Sequence, residues 1–351
     1  MREQDNTIAP RDGEHLPLER VDQWLKSQCP HLQGQPQIRQ FPAGASNLTY
    51  RLAYDNDTFI LRRPPFGKLP AGAHDVAREA KLMQALKPHY PYVPEVRLIC
   101  TDHRVMACDF YLMSEVRGLI LRRELPDSLP ASPTTSDSLC RIYIEGLARL
   151  HNLDIKCCGL EGLGKGEGYM QRQISGWRKR LERAKTEDVA DFLPISEWLD
   201  ANQPAEDSPC VIHNDYRFDN LVLDPDSLEV IGVLDWELAT LGDPLMDLGS
   251  ALAYWVEPQD HTIMQQVRLQ PTHLPGMLSR DDMVAAYFEA TGRDPVPFGY
   301  YQIFGLFRLA GIVQQIYQRY FTGQTKDARF AGFGHLSNHL HQRCLALMEQ
   351  Q

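Results

Sequence analysis

Val211-Ile212-His213-Asn214-Asp215-Tyr216-Arg217-Phe218-Asp219-Asn220 is an apolar run feeding a polar loop, and Leu221-Val222-Leu223 returns the chain to an apolar run. The turn Asp224-Pro225-Asp226-Ser227 then reverses direction, because Asp and Ser bond the local backbone and Pro fixes φ. Residues 230–234 form the next apolar strand, and Asp235 stands at its end. Two short strands joined by such a turn read as a hairpin, so Asp215, Asn220 and Asp235 are expected at one edge. Each alone has a bland reading, since Asp and Asn favour turns and Asp235 before Trp236 could cap a helix. Together, in this order, they form a set of two carboxylates and one neutral amide oxygen.

On the N-terminal side, residues 37–41 and 48–54 read as strands around the turn Ala43-Gly44-Ala45. Residues 58–62 return after the cluster Asp55-Asn56-Asp57. Residues 76–86 place Val76, Ala80, Met83 and Leu86 at helical spacing, and Pro88 and Pro91 end the run. Strands at 96–101 and 110–116 complete a small antiparallel sheet with one inserted helix. Residues 126–138, rich in Pro, Ser, Thr and Asp, read as a loop, and 139–153 as a helix with Ile142, Leu147 and Leu150 for burial. Beyond this the chain reads as helical, apart from 211–234. That order indicates an α+β bilobal molecule. Its N-terminal lobe would be 1–116, with 1–17 a flexible tail, and its larger, mainly helical lobe 117–351 would carry the hairpin.

The formal charge of −10, from 36 Lys+Arg against 46 Asp+Glu, argues against a general nucleic-acid binder. The N-terminus lacks the apolar stretch of a signal peptide, and no run is long and apolar enough to span a bilayer. The expectation is a cytoplasmic protein with no membrane or nucleic-acid partner. Nothing in the sequence indicates a homodimer, although one is compatible with it. The eight cysteines form no CxxC pair, so they read as reduced, structural thiols, the adjacent Cys157 and Cys158 included.

Two carboxylates and an amide suit phosphoryl transfer. One carboxylate orients the attacking hydroxyl or takes its proton, while an amide oxygen and a second carboxylate hold Mg²⁺ against nucleotide phosphates. The series His213-x-Asp215, Asn220, then Asp235 resembles the HxDxxxxN…D pattern of kinases. The wider text IHNDYRFDNLVLD…VIGVLDWELATLGDPLMDLG resembles the aminoglycoside phosphotransferase/choline kinase family, and most of all the kinase-like domains fused to some acyl-CoA dehydrogenases. The likeness runs over residues 41–255. Two departures stand out: Asn214 occupies a position that is Gly in antibiotic kinases, and Trp236-Glu237 replaces the Phe-Gly of protein kinases.

The resemblance implies a protein-kinase-like fold using ATP and Mg²⁺, with Asp215 catalytic and Asn220 and Asp235 as metal ligands. Residues 43–47 occupy the place of the phosphate-covering loop, where Ser46 and Asn47 can donate hydrogen bonds; no GxxxxGK[ST] motif is present. Arg62 takes the place of the phosphate-binding Lys, with Glu79 of the inserted helix as its partner. Arg63 would point to the other face. Ser114 and Val116 would offer backbone groups to adenine, with Met113 behind. His213 reads as scaffold, and Asp243 and Asp247 as capping and anchoring groups.

Residues 159–203 stand where this family places its acceptor-specific insertion. Arg178-Lys179-Arg180 there, and Arg308 later, are candidate contacts for an anionic acceptor such as a coenzyme A ester, although a solvated helix face is the favoured account of the basic run. The leading expectation is a phosphotransferase acting on the hydroxyl of a small-molecule acceptor, a hydroxyacyl-CoA or related hydroxy acid. Alternatives are an aminoglycoside or choline-like kinase and a non-catalytic pseudokinase; a protein kinase, lacking GxGxxG, HRD and DFG, fits least.

Overall fold

The computed structural model of the chain describes residues 7–42, 47–67, 75–205 and 208–351. Alternation in the first third of the sequence becomes a sheet. Helix α1 (Leu18–Gln28) precedes β1 (Gln37–Gln40), β2 (Leu48–Ala53) and β3 (Thr58–Arg63); α2 (Val76–Leu86) is inserted before β4 (Val96–Cys100) and β5 (Phe110–Ser114). The strands pair antiparallel in the order β1-β2-β3-β5-β4. Leu48, Tyr50 and Leu52 alternate inward along β2 and meet Phe59, Leu61, Phe110 and Leu112 in one apolar core.

That core also takes in Val21 and Leu25 of α1, an element absent from the sequence expectations. The two residues are four apart, which puts them on one helix face, but the charged residues around them mask the signal. Residues 7–17 are likewise no free tail. Ile8 and Gln40 exchange backbone hydrogen bonds of 2.8 Å, and the Tyr50 hydroxyl donates to the Glu14 carbonyl at 2.7 Å. Hydrogen bonds, which leave no mark on composition, fix this polar stretch.

Next come α3 (Pro133–His151), α4 (Tyr169–Arg183), α5 (Leu193–Ala201), β6 (Cys210–Ile212), β7 (Leu221–Leu223), β8 (Val230–Val233) and β9 (Thr240–Gly242). Helices α6 (Pro244–Leu252), α7 (Thr262–Val267), α8 (Arg280–Thr291), α9 (Gly299–Phe321) and α10 (Phe333–Met348) complete the chain. Helix α3 begins inside the stretch expected as loop. Ser132 accepts a hydrogen bond from the Thr135 N–H and Pro133 occupies the first turn, so residues that punctuate a loop here start a helix. No helix among the described residues is long and apolar enough to cross a membrane. None of the eight cysteines is in a disulfide.

The chain forms two compact units. One comprises Met1–Ile120, Lys156–Leu160 and Leu221–Glu237; the other comprises Leu121–Ile155, Glu161–Asn220 and Leu238–Gln351. The β7–β8 hairpin, expected with the helical lobe, therefore belongs to the sheet unit. Leu119 and Leu223 exchange backbone bonds of 2.7 and 2.8 Å, and the Val233 N–H donates to the Tyr92 carbonyl at 2.8 Å. Buried Trp236 follows, edge-on to Tyr90 with ring centroids 5.9 Å apart.

Within the second unit, α6 and α9 cross with their backbones nearly touching. A Cβ on Gly305 would lie 2.1 Å from the Gly249 carbonyl oxygen, and one on Gly249 would lie 2.3 Å from that of Tyr301. Backbone cannot yield as a flexible side chain can, so both positions require glycine. Gly305→Ala should cost about 1–3 kcal/mol or more through overpacking. Gly332→Ala, with no atom within 4 Å of the added carbon, should stay within about 0.5 kcal/mol. Urea midpoints of the two variants test the contact; equal midpoints would refute it.

Candidate active site

The polar loop after β6 is suspended from one buried carboxylate. Asp247 Oδ2 accepts from the His213 N–H and Oδ1 from the Asn214 N–H, both at 2.8 Å. His151 Nε2 lies 3.1 Å from Oδ2, and the other ring nitrogen lies 2.6 Å from the Tyr287 hydroxyl. Burial alone would raise the Asp247 carboxyl; the His151 hydrogen bond, the two imidazoles and the His213 N–H together hold it below its ordinary value. Asp243, expected in a capping role, accepts from the N–H groups of Leu245 and Met246 at the start of α6.

The loop in turn orients Asp215. The Asp215 N–H donates to His213 Nδ1 at 3.2 Å, so this nitrogen carries no proton. Asn220 Nδ2 donates to the Asp215 carbonyl at 2.8 Å and to its Oδ2 at 3.0 Å. Those two acceptors fix the amide orientation and leave Asn220 Oδ1 as the group able to meet a cation. Arg217 Nε lies 3.2 Å from both Asp215 Oδ1 and Asp219 Oδ1, with its guanidinium 4.7 Å from the Tyr254 ring. Burial pushes the Asp219 carboxyl up, Arg217 opposes the shift and Asp215 adds to it. Asn214 has φ of 65°, a left-handed conformation that Gly and Asn tolerate best, which explains Asn where antibiotic kinases carry Gly.

In the sheet unit, Asp235 follows β8 by two residues with φ of 65°, a conformation that costs about 1 kcal/mol or more outside glycine. Its carboxylate pairs with Arg62 of β3. Arg62 Nε also lies 3.3 Å from Glu79 Oε2, and Nη2 lies 3.2 Å from Glu237 Oε2. One guanidinium thus faces three carboxylates. Burial works against the Arg62 charge, but Asp235, Glu79 and Glu237 outweigh it and hold its pKa up. Glu79, the deepest of the three, bears the cost: burial pushes it up to about 7, Arg62 opposes, and Asp235 and Glu237 add to the rise. Glu237 also accepts from Asn47 Nδ2 at 2.7 Å, and its carbonyl accepts from Arg78 of α2 at 2.7 Å. It therefore ties β2 and α2 to the end of the hairpin.

Other expected residues divide. Ser46 lies outside the described residues. Arg63 turns away from Arg62 and caps the Phe66 ring at 3.6 Å. Met113 is buried in β5, Val116 is half-buried, and the Ser114 N–H is already spent on the Glu95 carbonyl at 2.9 Å. Arg178 is committed to α5, donating to Ser196 Oγ at 2.8 Å and pairing with Asp200. Arg308 donates to the Asn214 carbonyl at 2.6 Å, and both it and Arg180 stack on Trp177. Sequence reasoning gave no role to Arg217, Asp219, Glu237 or Trp177. Position was the available signal: Arg217 and Glu237 each stand two residues after a singled-out aspartate.

The described residues hold no cluster of three or more His, Cys, Asp or Glu suited to a metal. Asn220 Oδ1 in the second unit and the Asp235 carboxylate in the first are each hard oxygen donors of the kind Mg²⁺ takes.

The Phosphotransferase enzyme family matches residues 37–295. The chain belongs to that family: it is a phosphotransferase with a kinase-like fold. It is 32% identical over 336 residues to acyl-CoA dehydrogenase family member 10 of Mus musculus, covering 95% of this chain and 31% of that protein. It is 35% identical over 293 residues to member 11 of Homo sapiens, covering 83% of this chain and 37% of that protein. The chain thus spans about a third of the length of these curated relatives. Among solved structures, an assigned aminoglycoside phosphotransferase from Ralstonia eutropha JMP134 has a TM-score of 0.81 at 28% identity, covering 96% of this chain and 99% of that one. A thermostable mutant of the aminoglycoside phosphotransferase APH(4)-Ia, in ternary complex with AMP-PNP and hygromycin B, shares the fold at a TM-score of 0.57 and 15% identity, covering 94% and 98%.

Glu79 makes the sheet unit sensitive to pH. Its folded pKa, about 7, exceeds the ordinary 4.5, so its contribution is complete below the unfolded value and is lost as pH rises through the folded one. The parent should lose on the order of 1–3 kcal/mol between pH 5 and 8 from this group. Glu79→Gln should flatten that slope in urea titrations without added nucleotide; an unchanged slope would remove Glu79 as its source.

Proposed function

We propose that the chain transfers the γ-phosphate of ATP to the hydroxyl of a small-molecule acceptor, with Asp215 as the group that orients the hydroxyl and receives its proton. The observation that carries this reading is the held yet reachable Asp215 carboxylate: Asn220 and Arg217 fix both its oxygens, and its side chain keeps 20% of its exposure. A new bond forms from the acceptor oxygen to the γ-phosphorus as the bond to the β-bridging oxygen breaks, so ADP leaves with its electron pair. Asn220 Oδ1 and the Asp235 carboxylate are the ligands assigned to Mg²⁺, which when bound neutralises the phosphates. Arg62 contacts phosphate by its guanidinium fork, steadied by Glu79, and Asn47 and Glu237 brace the strand beside it.

For the acceptor, the proposal is a hydroxyacyl-CoA or related hydroxy acid. Support comes from the likeness to acyl-CoA dehydrogenase family members and from Arg308, bonded to the Asn214 carbonyl, with Arg180 on the same Trp177 ring. An aminoglycoside is the second reading, favoured by the Ralstonia structure; its positive charges would call for carboxylates where these arginines stand. A screen of ATP consumption with hydroxyacyl-CoAs, hydroxy acids, aminoglycosides and choline separates the two. Failure of every alcohol would leave a nucleotide-binding module.

Asp215→Ala should lower kcat by about 10²–10⁴ while nucleotide affinity holds; near-normal turnover in a folded variant would remove Asp215 from the chemistry. Asp235→Asn should weaken Mg²⁺–ATP binding as well as turnover, with part of the loss recovered by raising magnesium. An unchanged magnesium dependence would reduce Asp235 to a turn residue.

A further inference from the structure

Arg308 sits in the middle of α9 and is 5% exposed. A buried guanidinium ordinarily faces a carboxylate, because desolvating an unpaired charge is expensive. Arg308 has none among the described residues. Its one hydrogen bond, to the Asn214 carbonyl, occupies one of five donors and leaves the charge uncompensated.

A second cation stands beside it. The Arg308 guanidinium lies 5.5 Å from the Trp177 ring centroid, and that of Arg180 lies 4.5 Å from the same ring. Arg180 also lacks a carboxylate partner among the described residues. Arg180 is exposed, yet the protein around it removes part of its hydration; that lowers its pKa first, and the charges of Arg308 and Arg183 lower it further. The indole is held in place: a Cβ on Gly311 of α9 would come within 2.7 Å of its ring, so only glycine lets it lie against that helix. Its N–H is buried and meets no acceptor. Stacked guanidiniums that repel each other, next to an unsatisfied donor, lack a negative charge. The Asn214 carbonyl that anchors Arg308 belongs to the residue before Asp215.

We propose that Arg308 and Arg180, stacked on Trp177, form an oxyanion site that takes a carboxylate or phosphate of the acceptor. Planar guanidinium forks match either group. Recognition of the acceptor as an anion then occurs beside the loop that orients its hydroxyl. The role of this site in turnover rests on the phosphotransferase reading, whereas its affinity for a free oxyanion does not.

The test uses the full chain without ATP. Inorganic phosphate, 3-hydroxybutyrate and coenzyme A are titrated in turn while tryptophan emission is followed. The chain has five tryptophans, so Trp177→Phe assigns the response. A saturable change is expected that disappears in Trp177→Phe and shrinks with added salt. Arg308→Met and Arg180→Glu should each raise Kd about tenfold or more, the scale of a charge-assisted hydrogen bond. Arg180 is exposed, so its variant reports even if Arg308→Met does not fold. Tighter binding of coenzyme A identifies a phosphate as the anion, and tighter binding of 3-hydroxybutyrate a carboxylate. In turnover the same variants should raise the acceptor KM and leave that of ATP unchanged. No response in the parent, or an unaltered Kd in Arg180→Glu, overturns the site. Anion binding without phosphorylation of any acceptor would leave the site standing and overturn the phosphotransferase reading instead.

Discussion

The buried carboxylate of Asp247 holds the reactive loop together. It lies on α6, whose backbone meets α9 through Gly249 and Gly305, and it receives two consecutive N–H groups of the loop that carries Asp215. A backbone N–H left unmet in a buried setting costs about 1–3 kcal/mol, and the carboxylate meets both of these donors at 2.8 Å. A position on a glycine-tight helix pair is a rigid one. Asp215 inherits its geometry through His213 and Asn220 from that fixed point.

The sheet unit is organised by the opposite condition, too much negative charge. Asp235, Glu79 and Glu237 share one guanidinium, and the imbalance falls on the deepest acid. Structural ion pairs tend towards neutrality, whereas a surplus of carboxylate oxygen is what a divalent cation relieves.

The fold class was legible because alternation and helical spacing are local signals: β2, β3 and α2 fall where the sequence puts them. What escaped depends on partners far along the chain. Val21 and Leu25 are too sparse to announce α1 until the sheet beneath them is known, and residues 7–17 are fixed by bonds to Gln40 and Tyr50. Pro133 read as loop because a helix start and a loop use the same residues. At the candidate site, motif spacing singled out Asp215, Asn220 and Asp235. Nothing in that spacing could distinguish Arg178, which α5 engages, from Arg180, which stacks on Trp177. Helix phase against neighbours made that division.

The first unit is assembled from three stretches of chain, Met1–Ile120, Lys156–Leu160 and Leu221–Glu237. Its sheet can form as soon as the first stretch has been synthesised, but Leu119 has no partner until Leu223 emerges from the ribosome, and Tyr92 none until Val233 does. Arg62 and Glu79 wait as long for Asp235 and Glu237. Co-translational folding of the sheet unit therefore cannot finish first and hand over to the rest; most of the helical unit's early sequence must be made while the sheet unit is still open. A ribosome stalled before residue 221 would display a partly folded sheet with an unpaired edge, the kind of surface that chaperones hold.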